Sequence, residues 1–256
     1  MSGVFAAGEK ALFIDAKQRR YLVDLSESAE FHSHAGYVAH SEVIGHEPGR
    51  QVESTKGARY IVLRPTLEDF VVEMPRGAQV IYPKDLAPMC MLGDVHPGAR
   101  VLETGIGSGA LSMAMLRWGA HVTGVELRQD FLNRARANVR SFLGAAALES
   151  YETSLGDSYE ALPVGPFDRV MLDLPEPWRV VPHAEHVLTR GGILVAYTPS
   201  ITQAVQVREA TGRGWVDRRT LEVLHRTWHI EGMSVRPDHR MVAHTAFLTV
   251  ARWVGA

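Results

Sequence analysis

Seven residues, Glu103-Thr104-Gly105-Ile106-Gly107-Ser108-Gly109, constrain this chain more than any other stretch. The apolar run Ala99-Arg100-Val101-Leu102 leads into them, and Ala110-Leu111-Ser112-Met113-Ala114-Met115-Leu116 follows at helical spacing. A strand, a glycine turn and a helix form a cradle for a nucleotide-type cofactor, because glycine lets the backbone approach a ligand closely. The dinucleotide signature is G-x-G-x-x-G; Gly105 and Gly107 enter it, but Ala110 completes it only in its G/A variant. The third glycine, Gly109, instead comes one residue early. Glycine turns between strand and helix also arise from packing alone.

Around this turn, strand-like and helix-like segments alternate. His121-Val122-Thr123-Gly124-Val125-Glu126 reads as a second strand, and Gln129–Leu143 carries Phe131, Leu132, Ala135, Val139 and Phe142 on one helical face. Strands are expected at 151–155, 167–174 and 193–197, and helices at 86–92, 182–188 and 201–210. The alternation predicts a mainly parallel, doubly wound sheet. A helix-free tail, with strands expected at 221–228 and 244–253, predicts an antiparallel pair at one edge. Residues 1–75 differ: short apolar pieces separated by turns predict a small β domain, with the main domain over 76–256 and the boundary at Met74-Pro75-Arg76-Gly77. Phe31 to Gly36 reads as a loop whose two histidines, His32 and His34, lack a supporting carboxylate or cysteine, so no metal site is expected.

Composition narrows the class. With 46% hydrophobic and 22% charged residues the chain is of ordinary globular type. No apolar run reaches the roughly 18–20 residues a membrane helix needs, and the first residues do not read as a secretory signal. One cysteine, Cys90, excludes an intrachain disulfide and suggests the cytoplasm. A net charge of −2 is unlike that of many nucleic-acid binders, yet a local basic patch suffices for such binding.

Four sites converge where a doubly wound sheet binds ligands, at the carboxyl ends of its strands. The early third glycine of the E-x-G-x-G-x-G loop is the pattern of S-adenosylmethionine (SAM) methyltransferases. Glu126 ends the next strand about 20 residues after Gly105, the spacing of an acid that holds a ribose diol. Asp157 follows Gly156 after a strand, where a carboxylate can take an adenine amine or simply cap a turn. Asp173-Leu174-Pro175-Glu176-Pro177-Trp178 places an acid at a strand end beside a rigid loop and an indole, suited to a planar base; the alternative is a proline-rich turn with a packing tryptophan. Basic groups available for RNA are Arg50, Lys56, Arg59 and Arg64, and Arg236, His239 and Arg240.

Taken together the chain resembles the bacterial tRNA (adenine-58-N1)-methyltransferase family. The resemblance covers nearly the whole chain. It is carried by Arg76 through Tyr82-Pro83-Lys84-Asp85, the glycine loop to Leu111, Asp173 to Trp178, Val195-Ala196-Tyr197 with Ile201-Thr202-Gln203, and His244-Thr245-Ala246-Phe247-Leu248. It implies a class I SAM-dependent methyltransferase fold with a small N-terminal β domain, a homotetramer, and methylation of N1 of an adenine in the tRNA T-loop, leaving S-adenosylhomocysteine. It also implies that Ser108, Gly109, Ala110 and Leu111 line the cofactor with Gly105 and Gly107. By the same token Glu126 would hold its ribose, with Phe131 nearby, Asp157 its adenine, and Asp173 would face both cofactor and target as the catalytic acid-type residue. Tyr82 and Tyr197 would border the target pocket, with Trp178 available to it and Arg236 and Arg240 to the tRNA. Thr104 departs from the family's usual alanine, and Ala243 from its usual glycine. Rival readings are a SAM methyltransferase acting on isoaspartyl protein or a small molecule, a non-catalytic RNA-binding subunit, and, disfavoured by the loop spacing, a hydride-transfer enzyme.

Overall fold

A computed structural model describes residues 3–74, 77 and 79–255. It divides into two compact units, Met1–Met74 and Pro75–Ala256. Pro75 and Arg76, at the expected boundary, lie outside the described residues.

The first unit is built on a four-stranded antiparallel sheet of β1 (Lys10–Asp15), β2 (Arg20–Asp24), β5 (Arg50–Glu53) and β6 (Arg59–Leu63), in the order β2-β1-β6-β5. A hairpin of β3 (Glu30–Ser33) and β4 (Gly36–Ala39) covers it. The expected loop at Phe31 is therefore a strand with a tight turn: Phe31 is buried, its ring 4.7 Å from Phe13 and 5.4 Å from Tyr60. Helix α1 (Leu67–Glu73) closes the unit. Its start is specified locally, because Thr66 and Asp69 form a reciprocal capping box.

The second unit contains a seven-stranded sheet. Its elements are α2 (Pro83–Leu92), β7 (Arg100–Thr104), α3 (Ala110–Arg117), β8 (His121–Glu126), α4 (Gln129–Leu143), β9 (Tyr151–Leu155), β10 (Phe167–Leu172), α5 (Val181–Val187), β11 (Leu188–Thr198), α6 (Ile201–Ala210), β12 (Trp215–Glu222) and β15 (Phe247–Trp253), with a hairpin of β13 (Trp228–Glu231) and β14 (Ser234–Pro237) before β15. The sheet order is β12-β15-β11-β10-β7-β8-β9. Strands β9, β8, β7, β10 and β11 are parallel, whereas β15 runs antiparallel to β11 and to β12. The antiparallel edge is thus present, but over different residues from those expected. β12 begins at Trp215 and ends at Glu222, and Trp228 lies in the separate hairpin.

Burial explains the helices. Leu132, Ala135 and Val139 of α4 are buried at helical spacing against the sheet. Val180, Val181, Ala184 and Val187 join Phe167, Val170, Leu172, Leu194, Trp215 and Trp253 in the core on the α5 side. The chain leaves β7 for β8 and β9 on one side and returns to β10 and β11 on the other. The crevice at this reversal, outside the carboxyl ends of β7 and β10, is where such sheets bind ligands.

Candidate active site

The glycine loop leaves β7 at that crevice. Gly105 has φ +78° and its amide donates to the Val125 carbonyl at 3.0 Å. A Cβ there would lie 2.0 Å from the Asp173 carbonyl oxygen, so Gly105 lets the β7 and β10 ends approach. Gly107 has φ +56° with nothing within 4 Å of a built Cβ: it faces open space. Gly109 begins α3 and packs against Ala135, whose Cα would lie 3.2 Å from a Cβ. Ala110 and Leu111 are buried in the first turn of α3.

Glu126, buried at the end of β8, is held from both oxygens. Oε2 accepts from the Gly107 amide and Oε1 from the Arg128 amide, each at 3.0 Å. Each oxygen keeps lone-pair capacity for a diol. Phe131 lies beside this edge, with the Arg128 guanidinium 3.9 Å from its ring centroid. Asp157 uses Oδ1 to accept from the Tyr159 amide at 2.8 Å, capping its own turn.

Asp173 follows β10, its amide bonded to the Thr104 carbonyl at 3.0 Å. Its half-buried carboxyl is pushed up to about 7, first by desolvation and then by the charge of Glu126. Behind it Glu103, buried in β7, is pushed up to about 8 by desolvation, against a hydrogen bond from Ser112 and reinforced by the charges of Asp173 and Glu126. Ser112 also bonds the Tyr151 phenol at 2.9 Å. Three carboxyls thus converge, and among the described residues no ammonium or guanidinium lies within ion-pair distance of any of them. A positive charge placed among them would favour their ionised forms. The buried hydroxyls of Thr104 and Ser108, at the foot and tip of the loop, have no hydrogen-bond partner among the described residues. Orphaned hydroxyls, open space before Gly107, a pre-organised Glu126 and uncompensated acids all fit SAM, a cation with a ribose diol.

The Pro-Glu-Pro loop after Asp173 is tied down. Gln203, in the capping box that starts α6, donates to the Pro175 carbonyl at 2.8 Å, and the Glu176 amide donates to the Tyr159 phenol at 3.0 Å. Trp178 packs against the core on the α5 side, which favours the packing reading of that indole. Tyr82 caps α2 and is about one-third exposed. Tyr197, near the end of β11, is buried, and its phenol is pushed up by desolvation and by Asp85 and Asp173. Arg236, in β14, and Arg240, beyond it, are exposed and outside this constellation. Arg76 lies outside the described residues. Other clefts exist, one of about 500 Å³ at the starts of β7, β8 and β10 and one of about 590 Å³ between α6 and β12, but neither includes a residue of the constellation.

The family described as "tRNA methyltransferase complex GCD14 subunit" matches residues 59–236, and the "TrmI-like N-terminal" family matches residues 3–52. The chain belongs to the TrmI family of tRNA (adenine-58-N1)-methyltransferases. It is 39% identical over 246 residues to the tRNA (adenine(58)-N(1))-methyltransferase TrmI of Thermus thermophilus, covering 94% of this chain and 95% of that one. The solved structure of the tRNA (m1A58) methyltransferase TrmI from Aquifex aeolicus superposes with a TM-score of 0.87 at 26% identity, covering 99% of this chain and 100% of that one. A Thermotoga maritima protein described as a SAM-dependent O-methyltransferase superposes with a TM-score of 0.94 at 28% identity, covering 99% and 96%. SAM is accordingly the methyl donor of this TrmI-family chain, on the class I methyltransferase fold the sequence led us to expect.

Sequence reasoning missed several groups in this region. Glu103 and Ser112 lay inside quoted stretches, but no spacing rule marks them. Lys84, Asp85 and Thr245 come together from 160 positions apart.

Proposed function

We propose that this chain transfers a methyl group from SAM to N1 of adenine 58 in the tRNA T-loop, with Asp173 as its catalytic carboxylate. The observation that carries this reading is Asp173 itself: an uncompensated acid at the β10 end, held beside the glycine loop by the close approach of Gly105. Gly105, Gly107, Ser108, Gly109, Ala110 and Leu111 would form the cofactor cradle. Glu126 would accept from the ribose hydroxyls, with Phe131 flanking it and Asp157 offering its free Oδ2 to the adenine amine.

When bound, SAM supplies an electrophilic methyl on a cationic sulfur. Adenine N1 is already a lone-pair nucleophile, so the protein needs no strong base. Its task is to hold N1 in line, a matter of proximity. Asp173 would accept a hydrogen bond from the exocyclic amine, orient N1, and stabilise the positive charge that develops on the base. N1 lies on the pairing edge, so the base must leave its stack, and Tyr82 and Tyr197 supply pocket walls for it. Trp178 would stiffen the loop from behind rather than touch the base.

An O-methyltransferase, as the Thermotoga neighbour is described, would need a base to take a hydroxyl proton, a task a carboxylate poised near 7 also suits. Incubating unmodified tRNA with isotopically labelled SAM, then digesting to nucleosides for mass analysis, separates the two. The expected product is labelled 1-methyladenosine at position 58; label on a ribose oxygen or no label in tRNA would overturn the reading. Retention of Gly105, Gly107, Gly109, Glu126 and Asp173 argues against a non-catalytic subunit.

The β13–β14 hairpin supports self-association to a tetramer and a place for tRNA. Its register pairs Trp228 with Pro237 and Ile230 with Val235, and alternates these with His229–Arg236 and Glu231–Ser234. One face is therefore apolar and exposed, suited to a second copy, while the other presents Arg236. Charge reversal at Arg236 and Arg240 is expected to weaken tRNA binding and to reduce the log–log salt slope by about 1–2. Filter binding at several salt concentrations checks this, and an unchanged slope would move the tRNA elsewhere. A tRNA substrate and a lone cysteine are consistent with a cytoplasmic enzyme; among the described residues no helix is long and apolar enough to cross a membrane.

A further inference from the structure

His244 lies outside the cofactor cradle, and the methyl-transfer reading gives it no task. In the segment leading into β15 it uses both ring nitrogens. Nδ1 faces Glu222 Oε1, at the end of β12, at 2.6 Å, and Nε2 faces the Pro199 carbonyl, just past β11, at 2.8 Å. A carboxylate and a carbonyl only accept hydrogen bonds, so the pairing is complete when both nitrogens carry hydrogen, as an imidazolium. A neutral ring would turn one lone pair toward an acceptor. The charged groups around the ring are Glu222 of β12 and Lys84 of α2, whose ammonium bonds the adjacent Thr245; the Phe247 ring of β15 lies 4.8 Å away. The Pro199 and Glu222 bonds raise the imidazole above its ordinary range, against desolvation and the charge of Lys84.

From the ring, hydrogen bonds run in one direction toward the Pro-Glu-Pro loop. The peptide plane that offers the Pro199 carbonyl also carries the Ser200 N–H. That N–H donates to Gln203 Oε1 at 3.0 Å, and Gln203 Nε2 donates to the Pro175 carbonyl at 2.8 Å. The two bonds fix which way the Gln203 amide points, since its oxygen must meet the N–H and its nitrogen the carbonyl. Two conjugated amides thus stand in series between His244 and Pro175. Each donates at one end and accepts at the other, and bonds in such a series polarise one another. Pro175 lies two residues past Asp173, and the prolines at 175 and 177 have fixed φ angles, so a shift at the Pro175 carbonyl is carried back to Asp173 rather than absorbed locally.

We infer that His244, as an imidazolium, is a positioning residue that orients Asp173 through the Pro199–Ser200 peptide, the Gln203 amide and the Pro175 carbonyl. This rests on the reading of Asp173 as the catalytic carboxylate. The ring is exposed, so its pair with Glu222 adds little to stability. What it supplies is aim, because a small displacement of a group that orients the target base costs rate out of proportion to its cost in binding. The glycine loop and Glu126 are not part of this relay, so SAM affinity is independent of it.

The test measures single-turnover methylation of unmodified tRNA by the full-length enzyme at saturating SAM, for His244→Ala, Gln203→Leu and the double variant. Each single variant is expected to be about tenfold slower than wild type, with SAM affinity by calorimetry unchanged. Either substitution already breaks the relay, so the double variant should also be about tenfold slower, not about a hundredfold. The advantage of wild type over His244→Ala should shrink between about pH 6 and pH 9 as the ring loses its proton. The ratio of Gln203→Leu to His244→Ala should stay flat over the same range, because the ring's charge no longer reaches the loop. Multiplying losses in the double variant, a wild-type rate in His244→Ala, or a wild-type advantage independent of pH would each overturn the inference. Nitrogen NMR of the wild-type His244 ring needs no variant: both nitrogens should be protonated near neutrality, and a neutral ring would count equally against it. A wild type that methylates no adenine in tRNA would instead overturn the reading of Asp173 on which the inference rests.

Discussion

Asp173→Ala is expected to retain most of its SAM affinity and to lose about 10³-fold in single-turnover methylation of tRNA, the scale of removing one pre-organised electrostatic group. In the proposed reading the affinity persists because the cofactor's main polar holds would lie elsewhere, on the glycine loop and on Glu126, which already accepts from the Gly107 amide. Turnover falls because, in the proposed mechanism, Asp173 at the β10 end is the acid that orients the target base. Asp173→Asn sharpens the test. It keeps the shape and one acceptor but cannot neutralise positive charge on the base, so most of the loss should remain. Wild-type rates in either variant would remove Asp173 from the chemistry.

The same residue sets two pH dependences. The Asp173 carboxyl stands near 7 in the unliganded fold against 3.8 ordinarily, and Glu103 near 8 against 4.5. The proposed mechanism uses Asp173 ionised, so at low substrate the rate should rise with pH through about 7, and Asp173→Asn should lack that limb. Stability moves the other way. Between its ordinary and its raised value each group is protonated in the folded chain and ionised in the unfolded one. The folded state therefore binds more protons, and unliganded stability falls as pH climbs through that window. Asp173→Asn should then melt above wild type at pH 8, the difference fading toward pH 4 where both chains hold the proton. Thermal melts at the two pH values check the sign. An active site more stable without its acid is the ordinary trade between function and stability.

The parts of this arrangement that could be read from sequence share a physical basis: each is specified within a few residues. The α4 helix follows from apolar periodicity, since Leu132, Ala135 and Val139 face the sheet as their spacing requires. The cradle follows from a strand, glycines and a helix in immediate succession. Where tertiary packing decides, local reading failed. Val223 and Leu224 have strand-forming side chains, yet β12 stops at Glu222 and the Val223 carbonyl turns to Lys84. That partner lies 139 positions away and leaves no trace in local pattern. Phe31 sat in a histidine- and glycine-rich stretch, but its burial between Phe13, Tyr21 and Tyr60 holds the segment as a strand. Helix α1 is not expected from the sequence, because seven residues give little periodicity. The Lys84–Asp85–Thr245 cluster needs α2 and the segments after β12 and before β15 assembled before its hydrogen bonds can be counted.

Two glycines of the loop should fail in opposite ways. Gly105→Ala places a methyl 2.0 Å from the Asp173 carbonyl oxygen and 2.9 Å from its carbon, at φ +78°. Those neighbours are backbone, held in place by the Asp173 amide bond to Thr104 and by the β7–β10 ladder, so nothing can step aside cheaply. The cost is expected at about 3 kcal/mol or more, seen as a lower melting temperature with or without SAM. Gly107→Ala has no neighbour within 4 Å, so in the unliganded chain it bears only left-handed strain of about 1–2 kcal/mol. Its methyl instead enters the space a cofactor would fill. The variant should fold, show a modest loss of stability, and lose SAM binding and the thermal shift SAM confers. Calorimetric titration beside melts with and without SAM separates the two. If Gly107→Ala bound SAM as wild type does, the open space before Gly107 would not be the cofactor's. If Gly105→Ala melted as wild type does, the close approach of the β7 and β10 ends would not be what holds Asp173 beside the cradle.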